Sequence, residues 1–239
     1  MSMIHFVGGE KGGVGKSVFT RLFSQYCLDY GLNYAGLDAD QSHATTMRYY
    51  PEFTRALKLD EFESTDVIME LALEQDVQVV VDLPAQSQRF LDRWIDENGV
   101  LDMAEEMNIP IVYWYVVDDS PDSIELLDKF LAKYQYFIQC VVVKNEGRGV
   151  EFGDIDTIVS AAQEEDMAQV SSITLPALHG TTMFKVNKLN LSFWAAINSQ
   201  DQGDDGMTLM ERQRTKVWML KSQAEVASVV GRLAKNVAE

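Results

Sequence analysis

The chain has 239 residues, 46% of them hydrophobic, and a formal net charge of −17. That length suits one large domain, residues 1–239 as a single nucleotide-binding unit, and no apolar run reaches the roughly 20 residues that a membrane span requires. The acidic balance excludes a protein that coats nucleic acid by electrostatics alone, because phosphate neutralisation needs clustered Lys and Arg.

Residues 3–7 read as a strand buried on both faces, and they run straight into Gly8-Gly9-Glu10-Lys11-Gly12-Gly13-Val14-Gly15-Lys16-Ser17. With no basic n-region or cleavage site ahead of that strand, the expected location is the cytoplasm. The glycine-rich stretch reads as a phosphate cradle. Gly12, Gly13 and Gly15 allow a tight turn with N–H groups pointing inward, Lys16 supplies a charge for the β- and γ-phosphates, and Ser17 offers a hydroxyl to Mg²⁺. The candidate nucleotide contacts are Gly12, Gly13, Val14, Gly15, Lys16, Ser17 and Val18. A glycine-rich hairpin with two solvated lysines is the alternative.

The apolar spacing predicts a helix over residues 17–30, stopped by Gly31, and a second strand over 33–37 that delivers Asp38 and Asp40 at its carboxyl end. Two carboxylates beside a metal-bound phosphate can hold Mg²⁺ waters and position an attacking water; an Asx turn is the other reading. Residues 44–60 read as irregular and aromatic-rich, and 66–75 as a helix. The β-branched run 77–81 ends in Asp82, which is placed to hold Mg²⁺. Residues 89–108 read as one or two helices and 110–117 as a central strand. In Asp118-Asp119-Ser120-Pro121, helix capping explains the acids better than a metal cluster. A buried strand over 137–143 closes on Lys144-Asn145-Glu146-Gly147; a helix follows over 155–166, a last strand over 172–175, a partly helical segment over 184–197, a mobile acidic loop over 199–206 and a long helix over 207–237. Val217, Leu220, Val226, Val229, Val230 and Leu233 are that helix's expected apolar positions. From Glu211 onward the net charge is +3, against −20 for the rest. A basic helix face in water is the simpler reading of that asymmetry, and a partner surface the other. Cys27 and Cys140 fall in apolar patterns and are expected to be buried free thiols.

Lys11-Gly12-Gly13-Val14-Gly15-Lys16-Ser17, with its second lysine, resembles the deviant Walker A loop of the ParA/MinD family of dimerising ATPases. The resemblance implies a doubly wound α/β fold, mostly parallel, with helices on both faces, and an ATP- and Mg²⁺-dependent ATPase that forms a homodimer on binding ATP. Lys16 then grips phosphate within the subunit while Lys11 reaches the partner's nucleotide. Asp38-Ala39-Asp40-Gln41 resembles the family's switch I, without its usual proline, which makes Asp40 the candidate for hydrolysis and Asp38 a support for metal and lysine. Asp82-Leu83-Pro84-Ala85 resembles its Walker B and switch II. Asn145 resembles the base-contacting asparagine, and the absence of a following aspartate favours ATP over GTP. Pro176 and Ala177 match the loop that lies against adenine. In sum, the resemblance gives Lys11, Lys16 and Asp40 as catalytic, Ser17, Asp38 and Asp82 as metal-holding.

Residues 175–196 and 210–218 are similar to a narrower group, the TraL/MobD-type ATPases encoded with plasmid conjugation and mobilisation genes. That implies a protein partner in DNA transfer or partition, with DNA itself a weaker candidate and no membrane partner. The other readings are a nucleotide-locked scaffold without turnover, a MinD-like positioning ATPase, and an iron–sulfur reductase, for which Cys27 and Cys140 are poorly placed.

Overall fold

The computed structural model describes residues 1–40, 45–74, 76–199 and 206–236. β1 (Met3–Gly8) leads into α1 (Lys16–Asp29), β2 (Asn33–Asp38) into α2 (Thr45–Tyr49), and β3 (Thr54–Ala56) into α3 (Phe62–Thr65) and α4 (Val67–Ala72). β4 (Val77–Asp82) is followed by α5 (Gln88–Asn98) and α6 (Val100–Glu106), β5 (Ile111–Val117) by α7 (Pro121–Tyr134), and β6 (Gln139–Asn145) by α8 (Gly153–Glu164). β7 (Val170–Leu175) precedes α9 (Gly180–Lys188), α10 (Phe193–Asn198) and α11 (Leu209–Asn236).

The seven strands pair in parallel throughout, in the order β3-β2-β4-β1-β5-β6-β7. Parallel neighbours need crossover connections, and the helices supply them by covering both faces. Side chains alternate along each strand, so β1 sends Ile4 and Phe6 into one core with Leu91, Trp94 and Phe130, and Val7 into another with Phe19, Phe23 and Trp114. This is the expected doubly wound α/β fold. Cys140 belongs to the first core and Cys27 to the second, both fully buried and free.

Several boundaries differ from the sequence reading. Residues 44–60 are not irregular throughout: Pro51 separates α2 from β3, a short edge strand in register Gly36↔Thr54. The helix expected over 66–75 ends at Ala72 and is preceded by a separate turn, α3; Gln75 lies outside the described residues. Gly99, with φ 58°, divides α5 from α6. β6 begins two residues after the apolar run does, leaving Phe137 exposed. Residues 200–205 of the expected mobile loop lie outside the described residues.

In α11 the buried stripe is Thr215, Trp218, Met219, Ser222, Gln223, Val226, Val229 and Val230, whereas Val217 and Leu220 are 41% and 59% exposed. Thr215 and Ser222 take core positions because their hydroxyls bond back to the preceding turn, Thr215 Oγ1 to Glu211 O at 2.9 Å and Ser222 Oγ to Trp218 O at 2.9 Å. Val226, Val229 and Val230 are buried as expected; in the first half of the helix, counting only apolar residues shifts the stripe by about a residue.

His5 sits wholly buried in β1, its Nδ1 accepting from Trp114 Nε1 at 3.2 Å and its Nε2 2.9 Å from Gln78 Oε1. Accepting at Nδ1 leaves the proton on Nε2, which donates to Gln78. Burial lowers its pKa to about 4, against the opposing Gln78 bond. The unfolded chain therefore binds a proton near pH 6.5 and the folded one only near pH 4, so the stability His5 provides is complete above 6.5 and lost between the two, about 3 kcal/mol in all. In His5→Leu we expect the melting temperature to depend less on pH across that window. An unchanged slope would mean that other groups carry it.

Candidate nucleotide site

A parallel sheet gathers the carboxyl ends of all its strands on one edge, and the passage from β4 to β5 across β1 opens a crevice there. The glycine-rich loop follows β1, Asp38 and Asp40 follow from β2, Asp82 ends β4, Asp118 follows β5, Asn145 ends β6, and Pro176 follows β7. The fold therefore brings the sequence-predicted residues to a single edge, although Gln41 of the Asp38–Gln41 segment lies outside the described residues.

Within the loop, Gly13 and Gly15 have φ values of 81° and 103°, the left-handed region that glycine adopts without a steric cost. Gly15 caps α1 with backbone alone, and the helix has no side-chain cap, so its first N–H groups face the crevice as an anion site. A Cβ built on Gly13 meets nothing within 4 Å, whereas one on Gly15 would collide with Asn145 Nδ2. The cradle is open at its mouth and closed behind, which fits a phosphate chain.

Asn145 provides the closure. Its Nδ2 donates to Val14 O at 2.7 Å, and its Oδ1 accepts from Gly147 N at 3.0 Å, with the residue 4% exposed. It ties the loop to the end of β6, so one amide serves both loop and turn. Pro176 O accepts from Trp218 Nε1 at 2.6 Å, fixing that loop to α11, while Ala177 is exposed. Val18 is half-buried in the first turn of α1.

Lys16 is buried, and its Nζ donates to Lys11 O at 2.7 Å. Burial lowers its pKa, opposed by Asp82, Glu10 and Asp40. Asp82 is 1% exposed; its Oδ1 accepts from Thr20 Oγ1 at 3.0 Å, its Oδ2 from Thr46 Oγ1 at 2.6 Å, and Ser17 is a further hydrogen-bond partner. Burial pushes its pKa up to about 7; the hydroxyls pull it down and neighbouring Asp38 pushes it further up. Asp38 and Asp82 are register partners on β2 and β4. Burial raises the Asp38 carboxyl too, although its Oδ1 accepts from Asp40 N and its Oδ2 from Met47 N, each at 3.0 Å. Asp38 thus organises the backbone on both sides of residues 41–44, with Asp40 half-buried at the edge.

Ser17 and Asp82 form a hydroxyl–carboxylate oxygen pair beside the cradle, a donor set that suits Mg²⁺, which takes few protein ligands when phosphate supplies others. No cluster of three or more His, Cys, Asp or Glu among the described residues makes an all-protein metal site.

Lys11 stands apart from this group. Its Nζ lies 2.6 Å from Asp118 Oδ2 and 2.5 Å from Ser120 Oγ, outside the loop's interior. Ser120 is the cap of α7, as its place before Pro121 suggests, whereas Asp118 is a lysine partner rather than a cap. Glu10, Thr20 and Thr46 also escaped sequence reasoning. Glu10 holds the segment after Asp82, accepting from Gln86 N through its carbonyl at 3.3 Å and from Gln88 N through Oε1 at 3.0 Å. Thr20 was legible, one helical turn after Lys16. The aromatic stretch packs behind the site: Arg21 of α1 is clamped between Tyr49, 3.6 Å from the ring centre, and Phe193 at 4.7 Å, while Tyr50 Oη donates to Gln25 Oε1 at 3.1 Å.

No protein-family model matches the chain. It is 29% identical over 238 residues to a TraL protein of Escherichia coli, covering 91% of this chain and 94% of that one. Among solved structures it resembles the cell division ATPase MinD of Pyrococcus furiosus, with a TM-score of 0.57, 14% identity, 96% of this chain covered and 100% of the other. It also resembles a plasmid partition protein of Borrelia burgdorferi bound to AMPPNP, with a TM-score of 0.50, 13% identity and coverage of 92% and 99%. No helix among the described residues is long and apolar enough to cross a membrane. The chain thus shares the α/β fold of the MinD ATPase and of the plasmid partition protein, and TraL is among its sequence relatives.

Proposed function

We propose that the chain, acting as one nucleotide-binding unit, binds ATP with Mg²⁺ in this crevice and works as a slow dimerisation switch. The observation that carries the reading is the division between the two lysines. Lys16 is buried within the loop, while the Lys11 ammonium lies outside it and is not needed to complete its own cradle. Lys16 and the N–H groups from Gly12 to Ser17 hold the phosphates of the nucleotide, with Val18, whose N–H donates to Gly15 O at 3.1 Å, closing the turn beside them; Lys11 reaches the nucleotide of a second subunit. Asp40 orients a water whose oxygen bonds to the γ-phosphorus as the bond to the bridging β-oxygen breaks, giving ADP and phosphate. Ser17 and Asp82 would hold Mg²⁺, with Asp38 behind them, and the ion when bound neutralises phosphate charge. Asn145, Pro176 and Ala177 form the base side, and adenine is favoured because no aspartate follows Asn145 to read guanine.

The dimer then presents its surface to a protein of a DNA-transfer or partition system, and hydrolysis releases it. The TraL likeness supports that process. DNA is a secondary ligand, through Arg212, Arg214, Lys216 and Lys221 of an otherwise acidic chain. Sedimentation with ADP, ATP and a nonhydrolysable analogue tests the switch. We expect dimer only with ATP or the analogue, and Lys11→Ala to bind ATP yet remain monomeric. A Lys11→Ala protein that dimerises with ATP as wild type does would refute the trans role.

A further inference from the structure

We propose that Asp118 is a positioning residue for Lys11, retaining it in its own subunit and thereby setting the ATP concentration at which two chains join; this rests on the trans role assigned to Lys11 above. The two carboxylate oxygens of Asp118 have separate duties. Oδ1 accepts from Ser120 N at 3.2 Å, Ser120 Oγ at 2.7 Å and Ser123 Oγ at 2.5 Å, which fastens the carboxylate to the start of α7. Oδ2 accepts Lys11 Nζ. Burial works to raise the Asp118 pKa, but the bonds from Lys11, Ser123 and Ser120 outweigh it and keep the group well below the usual carboxylate range.

The pair is partly shielded, with side chains 27% and 15% exposed, so water screens it less than a surface ion pair. Helix capping does not account for Oδ2, because Ser120 performs the cap. Lys11 is also tied at its backbone, since its carbonyl accepts Lys16 Nζ. A phosphate chain that draws Lys16 inward removes the backbone tie and leaves the ammonium held by Asp118 Oδ2, the charged partner, and by Ser120 Oγ beside it, which Asp118 Oδ1 fixes in place. A lysine that serves the neighbouring subunit has to leave Asp118 first, and the fraction of chains in which it has left scales the apparent affinity for assembly.

Asp118→Asn tests this with little disturbance, because the amide oxygen still accepts from the serines while an N–H₂ group replaces the anion facing Lys11. The nucleotide-free full chain is treated with an amine-acylating reagent and the peptides are weighed, using exposed Lys216 as the internal reference. Lys11 is expected to react about tenfold faster in Asp118→Asn than in wild type, and Asp118→Glu to restore protection. Equal Lys11 reactivity in wild type and Asp118→Asn overturns the proposal.

In ATP titrations followed by sedimentation, Asp118→Asn is expected to reach half-dimer at about three- to tenfold less ATP. Adding Asp118→Asn to Lys11→Ala is expected to change nothing. A midpoint that is unmoved or raised, while wild type dimerises normally, overturns the proposal and leaves the trans lysine standing. A shift that persists without Lys11 also overturns it. Wild type that stays monomeric in ATP refutes the switch itself, and the role of Asp118 with it.

Discussion

Replacing Lys16 by methionine is expected to weaken ATP binding about 100-fold while leaving the melting temperature of the nucleotide-free chain unchanged or higher. The two effects separate because the lysine is in an unfavourable place without ligand. Burial lowers its pKa more than Asp82, Glu10 and Asp40 together restore it, so the folded chain holds the charge at a net cost. Among the described residues its hydrogen-bond partner is one backbone carbonyl, Lys11 O. Methionine has a similar length, fills the space and carries no charge to desolvate. Calorimetric binding and thermal melting on the same sample check both halves. A large fall in melting temperature would show that Lys16 supports the fold more than the site.

Asp82→Asn is expected to reduce ATP turnover by about 100-fold or more, and to stabilise the nucleotide-free chain at pH 8 but not at pH 4. The sign follows from burial. Asp82 titrates at about 7 in the folded chain and near 3.8 when unfolded, so the folded chain holds the proton longer and this carboxyl's contribution to stability is lost as pH rises from 4 to 7. The loss is on the order of 4 kcal/mol. Thr20 and Thr46 donate to different oxygens of Asp82; asparagine keeps one oxygen for one hydroxyl, offers its N–H₂ group to the oxygen of the other, and has no charge to bury. Melting curves in chelator at the two pH values, with phosphate release in Mg²⁺, measure both parts. Equal stabilisation at both pH values would remove desolvation as the cause.

The parts of the site that were legible in the sequence are those written in consecutive residues. The glycines around Lys16 show themselves by spacing, and Asp82 by ending a β-branched run. Ser120 was legible as a cap because Pro121 follows it. The pairing of Lys11 with Asp118 was not, since it depends on β5 lying beside β1, where Gly8 is in register with Tyr115. The contact of Thr46 with Asp82 likewise depends on β2 lying beside β4, which no local spacing announces. Edge strand β3 has three residues, too few for alternation to show. In α11, hydroxyl residues fill core positions that an apolar count assigns to solvent.

Thr46 and Arg21 together tie α2 at two points, one to the carboxylate of Asp82 and one, through Tyr49, to the aromatic clamp against Phe193. A ligand of Asp82 has to share that carboxylate with a hydroxyl belonging to α2. The position of this short helix and the affinity of Asp82 for its ligand are therefore two sides of one thermodynamic cycle. If holding α2 away from the sheet changes that affinity by some factor, occupying Asp82 must change the ease of moving α2 by the same factor.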